Sequence, residues 1–78
     1  MVGGQLPIVG GNRVVGALKR AGFVVDRVVG SHHVLVHAHD TKRTVTVPVH
    51  SGRDLKAGTI RAIIRQAGLT VEEFKGFL

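Results

Sequence analysis

The sequence predicts a small α+β domain in the order αβββαα, with a three-stranded antiparallel sheet and two main helices packed on one of its faces. Two segments with apolar residues at helical spacing flank a central stretch that is rich in β-branched residues. Helices on one face of such a sheet bury both apolar stripes in a single core. A short third helix is predicted at the C-terminus.

The N-terminal part of the chain divides at residue 10. Residues 1–10 are rich in glycine and have no clear period, so we expect a flexible lead-in, followed by one domain over residues 11–78. From Gly11 the pattern becomes helical, with Val14, Val15 and Leu18 on one face. Gly22 lies where a left-handed residue commonly ends a helix.

Three strands are predicted in the β-branched stretch. They cover Phe23–Val29, His32–Ala38 and Arg43–Val49, with a Gly-Ser break before the second strand and a polar turn before the third. Pro48 donates no ladder hydrogen bond, which indicates an edge strand or a strand end.

Two helices follow a polar loop. The first covers Ala57–Ala67, with Gly68 as its stop, because isoleucines recur at helical spacing. The second opens with a capping box, in which Thr70 is followed three residues later by Glu73.

The alternation of the last two strands predicts their register. If the turn centres on residues 40–41, Val36 lies opposite Val45 and Val34 lies opposite Val47. All four valines then face the core.

The same register places histidines on the open face of the sheet. His33 and Leu35 alternate with the valines, so we expect both to face solvent, with His33 opposite Pro48. His50 becomes a diagonal neighbour of His33 on that face.

The composition narrows the classes of function. The chain has no cysteine, which excludes a disulfide scaffold and thiol catalysis and fits a reducing cytoplasm. No apolar run is long enough for a membrane span, and we expect no membrane contact. Trp and Tyr are absent, so a base-stacking sheet is not expected.

The charge favours a polyanionic partner. The chain carries a net charge of +6, and residues 1–69 hold ten basic against three acidic residues. Such an excess indicates a nucleic acid or an acidic protein as partner, whereas its plainer interpretation is a basic solvated surface.

The five histidines all lie between positions 32 and 50. Imidazole ligates zinc, copper and nickel, but no carboxylate or thiolate completes a compact ligand set, so we expect no metal. For His37 and His39 we favour ordinary polar positions on a wet face. His33 follows a Gly-Ser break at the start of a strand and is the candidate for proton transfer.

Five short segments form a pattern in their order and spacing: Ala21-Gly22-Phe23, Gly30-Ser31-His32-His33, Val47-Pro48-Val49-His50, Leu55-Lys56-Ala57-Gly58-Thr59-Ile60 and Arg65-Gln66-Ala67-Gly68-Leu69. Together they resemble the HicA toxins, the small mRNA interferases of HicA/HicB toxin–antitoxin modules. The resemblance covers about residues 11–70.

The resemblance implies a double-stranded-RNA-binding-domain-like fold, ribosome-independent cleavage of mRNA, growth arrest and inhibition by a HicB antitoxin. The essential histidine of the family follows Gly-Ser-x, which maps to His33. Strand alternation also favours His33 over His32.

Metal-independent scission of single-stranded RNA needs a base, an acid and positive charge near the phosphate. His33 can serve in one proton role, and we expect His50 in the other, with no cofactor. Arg13 is a further candidate for phosphate binding. The predicted RNA-binding residues are Ser31, Lys56, Arg61, Arg65, Lys19 and Arg20. The alternative function is a non-catalytic RNA-binding module of the same fold.

Overall fold

The computed structural model describes residues 5–78 and confirms the predicted order of elements. The sheet has the order β1-β2-β3, and both neighbouring pairs are antiparallel. This is the αβββα arrangement of the double-stranded-RNA-binding-domain-like fold, with one added helix. The elements are α1 (Gly11–Arg20), β1 (Phe23–Val29), β2 (His32–His37), β3 (Asp40–Pro48), α2 (Ala57–Ala67) and α3 (Val71–Phe77).

One core lies between the helices and one face of the sheet. The apolar stripes of α1 and α2 are buried there, as the helical spacing predicts, and Phe74 of α3 closes the core at one side. The largest fully buried side chains are Phe23, Phe74, Leu18, Leu35, Ile60, Ile63, Val14, Val45 and Val47.

The ends of the last two helices follow their predicted caps. Gly68 has a φ of 72° and ends α2 in the left-handed conformation that favours glycine. The hydroxyl of Thr70 accepts a hydrogen bond from the Glu73 backbone N–H, and the Glu73 carboxylate accepts one from the Thr70 backbone N–H.

Helix α2 runs antiparallel to β3. Near its C-terminus, the guanidinium of Arg43 donates from Nε and Nη2 to the Ala67 carbonyl oxygen, at 2.8 and 2.6 Å, and lies over the Phe23 ring. Near its N-terminus, Thr59 lies beside Pro48 at the end of β3. The start of α2 is thereby held at the end of the sheet where β3 finishes.

The predicted register of the β2–β3 hairpin is wrong by one residue. Val36 lies opposite Thr44, and Val34 lies opposite Thr46. The turn consists of residues 38–39, and residues 41–43 of β3 have no partner in β2. Local bonds stabilise this irregularity, because the Asp40 carboxylate accepts from the Lys42 backbone N–H and the Thr44 hydroxyl donates to the Thr41 carbonyl.

The one-residue shift exchanges the two faces of β2. Leu35 is fully buried on the face that the helices cover, opposite Val45, and His33 shares this face, opposite Val47. Val34 and Val36 lie on the other face, in line with threonines. The prediction that His33 and Leu35 face solvent on the open side is therefore wrong, as is the placement of His33 opposite Pro48.

The segment before α1 packs against the domain. The backbone N–H of Leu55 donates to the Val9 carbonyl oxygen, Val9 is buried, and Gly10 forms a bridge with Asp54. Leu6 also packs against the core, so we propose that the folded unit begins at Leu6. Residues 1–4, the first part of the predicted lead-in, lie outside the described residues.

Gly11 marks a close approach between α1 and the end of β3. A Cβ at this position would overlap the Pro48 carbonyl oxygen and lie 2.9 Å from the Val49 Cα. Only glycine allows this contact, which fixes where α1 begins. Within residues 5–78, no helix has the length and apolar character needed to cross a membrane.

Candidate functional site

Four elements meet at one end of the sheet. Strand β2 begins there and β3 ends there, with His32 opposite Pro48 and the Val49 backbone N–H donating to the Ser31 carbonyl oxygen at 2.7 Å. Gly11 at the start of α1 packs on the same end, and α2 starts beside it. The two predicted catalytic histidines, His33 and His50, belong to this end of the molecule.

His33 is half-buried on the helix-covered face, between Val28 of β1 and Val47 of β3. Its Nδ1 is enclosed and has no hydrogen-bond partner among the described residues. A buried polar atom without a partner is rare, because burial removes its hydrogen bonds to water and no protein hydrogen bond replaces them.

His50 is exposed and lies between two shallow grooves. The groove that we call the α1 groove is lined by residues 10–13, His50, Gly52, Arg53 and Asp54. The α2 groove is lined by Pro48, His50, residues 53–56 and Thr59. The two grooves share His50, Arg53 and Asp54, and His33 lines neither of them. The predicted diagonal contact between His33 and His50 on the open face does not form, because His33 lies on the helix-covered face.

Basic residues outnumber acidic residues in both grooves, where Asp54 is the one acidic lining residue. Arg13 lines the α1 groove, Lys56 lines the α2 groove, and Arg53 lines both. The salt bridge between Asp26 and Arg27 is the only one among residues 5–78, so no described carboxylate neutralises these three cations by direct contact. Such unpaired cations can bind phosphate groups.

The N-termini of α1 and α2 add positive electrostatic potential beside the grooves. Neither α1 nor α2 has a side-chain cap at its N-terminus, and neither carries an acidic residue in its first turn. Their first backbone N–H groups lie beside the α1 and α2 grooves, where the helix dipoles favour negative charge.

Arg53 is the residue that the sequence did not single out. It lies in the polar loop between β3 and α2, where no periodicity marks it. Its position four residues before the start of α2 was the available signal. A basic residue just ahead of a helix start often meets the same ligand as that start.

The remaining predicted RNA-binding residues are spread over the surface. Arg61 and Arg65 are exposed on the outer side of α2, and Lys19 is exposed on α1. Arg20 donates from Nε to the Phe77 carbonyl oxygen and so links α1 to α3. Ser31 is half-buried and belongs to the turn before β2. None of these five residues lines either groove.

His37 and His39 contact each other at the turn between β2 and β3. His37 packs edge-on against the Phe23 ring, with ring centroids 5.1 Å apart, and its Nδ1 accepts from the His39 backbone N–H. His37 is therefore partly buried on the helix-covered face, not on a wet face as predicted, whereas His39 is exposed. Among the described residues, no three His, Cys, Asp or Glu side chains form a group that could hold a metal ion.

The family model described as the HicA toxin of bacterial toxin–antitoxin systems matches residues 11–69, about three quarters of the chain. The chain belongs to the HicA toxin family. No curated protein matches the chain.

Family membership assigns the chain the role of a toxin in a toxin–antitoxin system, as the resemblance implied. The matched span runs from the first residue of α1 to just past α2, so it includes His33, His50 and every groove-lining residue except Gly10. Helix α3 lies outside the match. In general terms, membership also implies an antitoxin partner and an RNA substrate.

Proposed function

We propose that this toxin is an endoribonuclease that cleaves single-stranded mRNA without a metal and uses His33 for proton transfer. The observation that carries the proposal is the enclosed, unpartnered Nδ1 of His33 in a chain of this family. A buried polar group that no protein atom satisfies lowers stability, and catalysis is a common reason to retain one.

The chemistry needs two proton transfers. The 2′-hydroxyl loses its proton as its oxygen forms a bond to phosphorus, and the departing 5′-oxygen gains a proton as its bond to phosphorus breaks. His33 takes one of these roles through Nε2. His50 is the proposed second group, because it lies at the same end of the sheet and is flanked by Arg13, Arg53 and Lys56.

The cations of the grooves hold the phosphate backbone. Arg53 and Lys56 lie beside His50 in the α2 groove and stabilise the charge that develops on the phosphate during cleavage. RNA beyond the cut site then passes the exposed Arg61 and Arg65 on one side or Lys19 on the other. These contacts are independent of base identity, since they use charge alone.

The antitoxin is proposed to be a HicB-type acidic protein that covers His33 and part of the basic surface. The charge of the chain supports this proposal. Residues 1–69 hold ten basic against three acidic residues, and this excess attracts an acidic partner as well as RNA. Association of toxin and antitoxin should slow as salt rises. A complex that leaves His33 open to solvent would contradict inhibition by direct occlusion.

A cleavage assay in EDTA separates this proposal from a non-catalytic RNA-binding module. The purified toxin is incubated with single-stranded RNA, in parallel with His33→Gln, His50→Gln and the control His32→Gln. The toxin and the control should cut the RNA, His33→Gln should lose about 10²–10⁴-fold in rate, and His50→Gln should lose a comparable factor. Intact RNA at stoichiometric toxin would favour the binding module.

A further inference from the structure

The free edge of β1 exposes a cluster of valines. Val24, Val28 and Val29 are 54%, 52% and 60% exposed, and they account for three of the four exposed large apolar side chains among the described residues. Among residues 5–78, β1 has one partner strand, β2, so its other side has no partner strand within this part of the chain. An exposed apolar edge strand is a natural site for pairing with another strand.

A β-bulge determines which way these valines point. Val25 pairs with Leu35 and Arg27 pairs with Val34, which leaves Asp26 as the extra residue. Because of this extra residue, Val24 and Val29 lie on the open face, although they are five residues apart. Val25 and Val28 lie on the helix-covered face.

The segment is complementary to itself when a second copy runs antiparallel to it. Val24 then lies opposite Val29, Val25 opposite Val28, and Asp26 opposite Arg27. In every valine pair, both side chains lie on the same face, which antiparallel pairing requires. In a regular strand, this alignment would mix the two faces, and the bulge removes the conflict.

No neighbouring alignment satisfies these conditions. A shift of one residue in either direction places Asp26 opposite Asp26 or Arg27 opposite Arg27, and it sets valines of opposite faces against each other. Like charges directly opposite each other destabilise a strand pair. The charged centre therefore selects a single register.

We propose that two copies of the toxin pair through β1 and form a continuous six-stranded antiparallel sheet around a two-fold axis. Pairing covers the exposed valines and gives the free backbone groups partners. The exposed bridge between Asp26 and Arg27 within one chain, at 2.7 Å, is replaced or joined by two reciprocal bridges between chains. The strand is short, so the contact is smaller than a standard interface and the dimer is weak.

Sedimentation equilibrium over protein concentrations from about 10 μM to about 1 mM tests the proposal. The toxin should dimerise in this range. Asp26→Arg should weaken the dimer at least about tenfold, because two-fold symmetry places two arginines opposite each other twice. The double variant Asp26→Arg/Arg27→Asp should restore dimerisation, since it rebuilds both reciprocal pairs with reversed signs.

Two further variants control the experiment. Glu72→Arg makes the same change in net charge at an exposed position of α3 and should leave the dimer unchanged. Val29→Lys changes the edge without altering the bulge and should weaken the dimer even if Asp26→Arg fails to fold. A toxin that stays monomeric at about 1 mM, or a double variant as weak as Asp26→Arg, would overturn the proposal. If this edge pairs only with the antitoxin, the toxin by itself should stay monomeric at about 1 mM.

Discussion

Replacing His33 with leucine should make the domain more stable and at the same time abolish RNA cleavage. The Nδ1 atom of His33 is enclosed without a partner, and an unsatisfied buried group of this kind costs about 1–3 kcal/mol. Leucine removes that cost and adds apolar contact beside Val28 and Val47. Because the position is only half-buried, this second gain is a fraction of the roughly 1.5–3 kcal/mol of a fully buried leucine.

A difference in shape opposes these gains. Leucine is branched where imidazole is flat, and repacking around such a change costs about 1 kcal/mol. The expected net result is a gain of about 1 kcal/mol in the free energy of unfolding, which raises the melting temperature by about 4–8 °C in a domain of this size. Cleavage should fall about 10²–10⁴-fold, because leucine cannot transfer a proton.

Thermal and urea unfolding followed by circular dichroism measure the stability, and a cleavage assay on the same preparations measures the activity. His32→Leu is the matched control, because His32 is exposed and lies on the other face of β2. It should change stability by no more than about 0.5 kcal/mol and retain cleavage. A His33→Leu variant that is less stable than the toxin by more than about 1 kcal/mol would refute the reasoning about Nδ1.

The other substitutions test the grooves and the start of α1. Arg53→Ala and Lys56→Ala should each weaken RNA binding and reduce the dependence of log affinity on log salt by about 1 or less. Arg61→Ala, outside both grooves, should weaken RNA binding less, and filter binding at several salt concentrations measures all three affinities. Gly11→Ala should destabilise the fold by its clash with β3, but Gly16→Ala, whose Cβ meets nothing closer than 3.6 Å, should stabilise it by about 1 kcal/mol in urea unfolding. Equal effects at the two glycines would contradict the close packing of α1 on β3.

The helices could be predicted from the sequence because their signals are local. The bounds of α2 were predicted correctly, since the isoleucine stripe has one period and Gly68 supplies its left-handed end. The third helix followed from the capping pair of Thr70 and Glu73. In each case, the residues that form the element also mark its ends.

The faces of β2 could not be predicted by the same reasoning. Val34, Leu35 and Val36 are all apolar, so alternation does not choose which side faces the core. The choice depends on the three unpaired residues at 41–43, and side-chain bonds such as that of Asp40 hold this irregularity in place. The resulting one-residue error in the β2–β3 register reversed every side chain of β2.

The candidate site was predicted in part. His33 and His50 were proposed from residue type, strand alternation and the family resemblance. The alternation argument for His33 over His32 was wrong, because His33 lies on the helix-covered face, but the structure brings both histidines to one end of the sheet. Arg53 was missed because it gains its significance from the tertiary contact between its loop and the start of α1. Periodicity within the sequence carries no information about such a contact.

Cleavage of a substrate that lacks one 2′-hydroxyl tests the central proposal most directly. Two RNAs of the same sequence are compared in EDTA, one of them with a single deoxynucleotide on the 5′ side of the main cut. We expect the unmodified RNA to be cut there, with a 2′,3′-cyclic phosphate or its hydrolysis product at the new end, and the modified RNA to remain intact at that bond. Equal cutting of both RNAs would contradict attack by the 2′-hydroxyl, and with it the proton transfer assigned to His33.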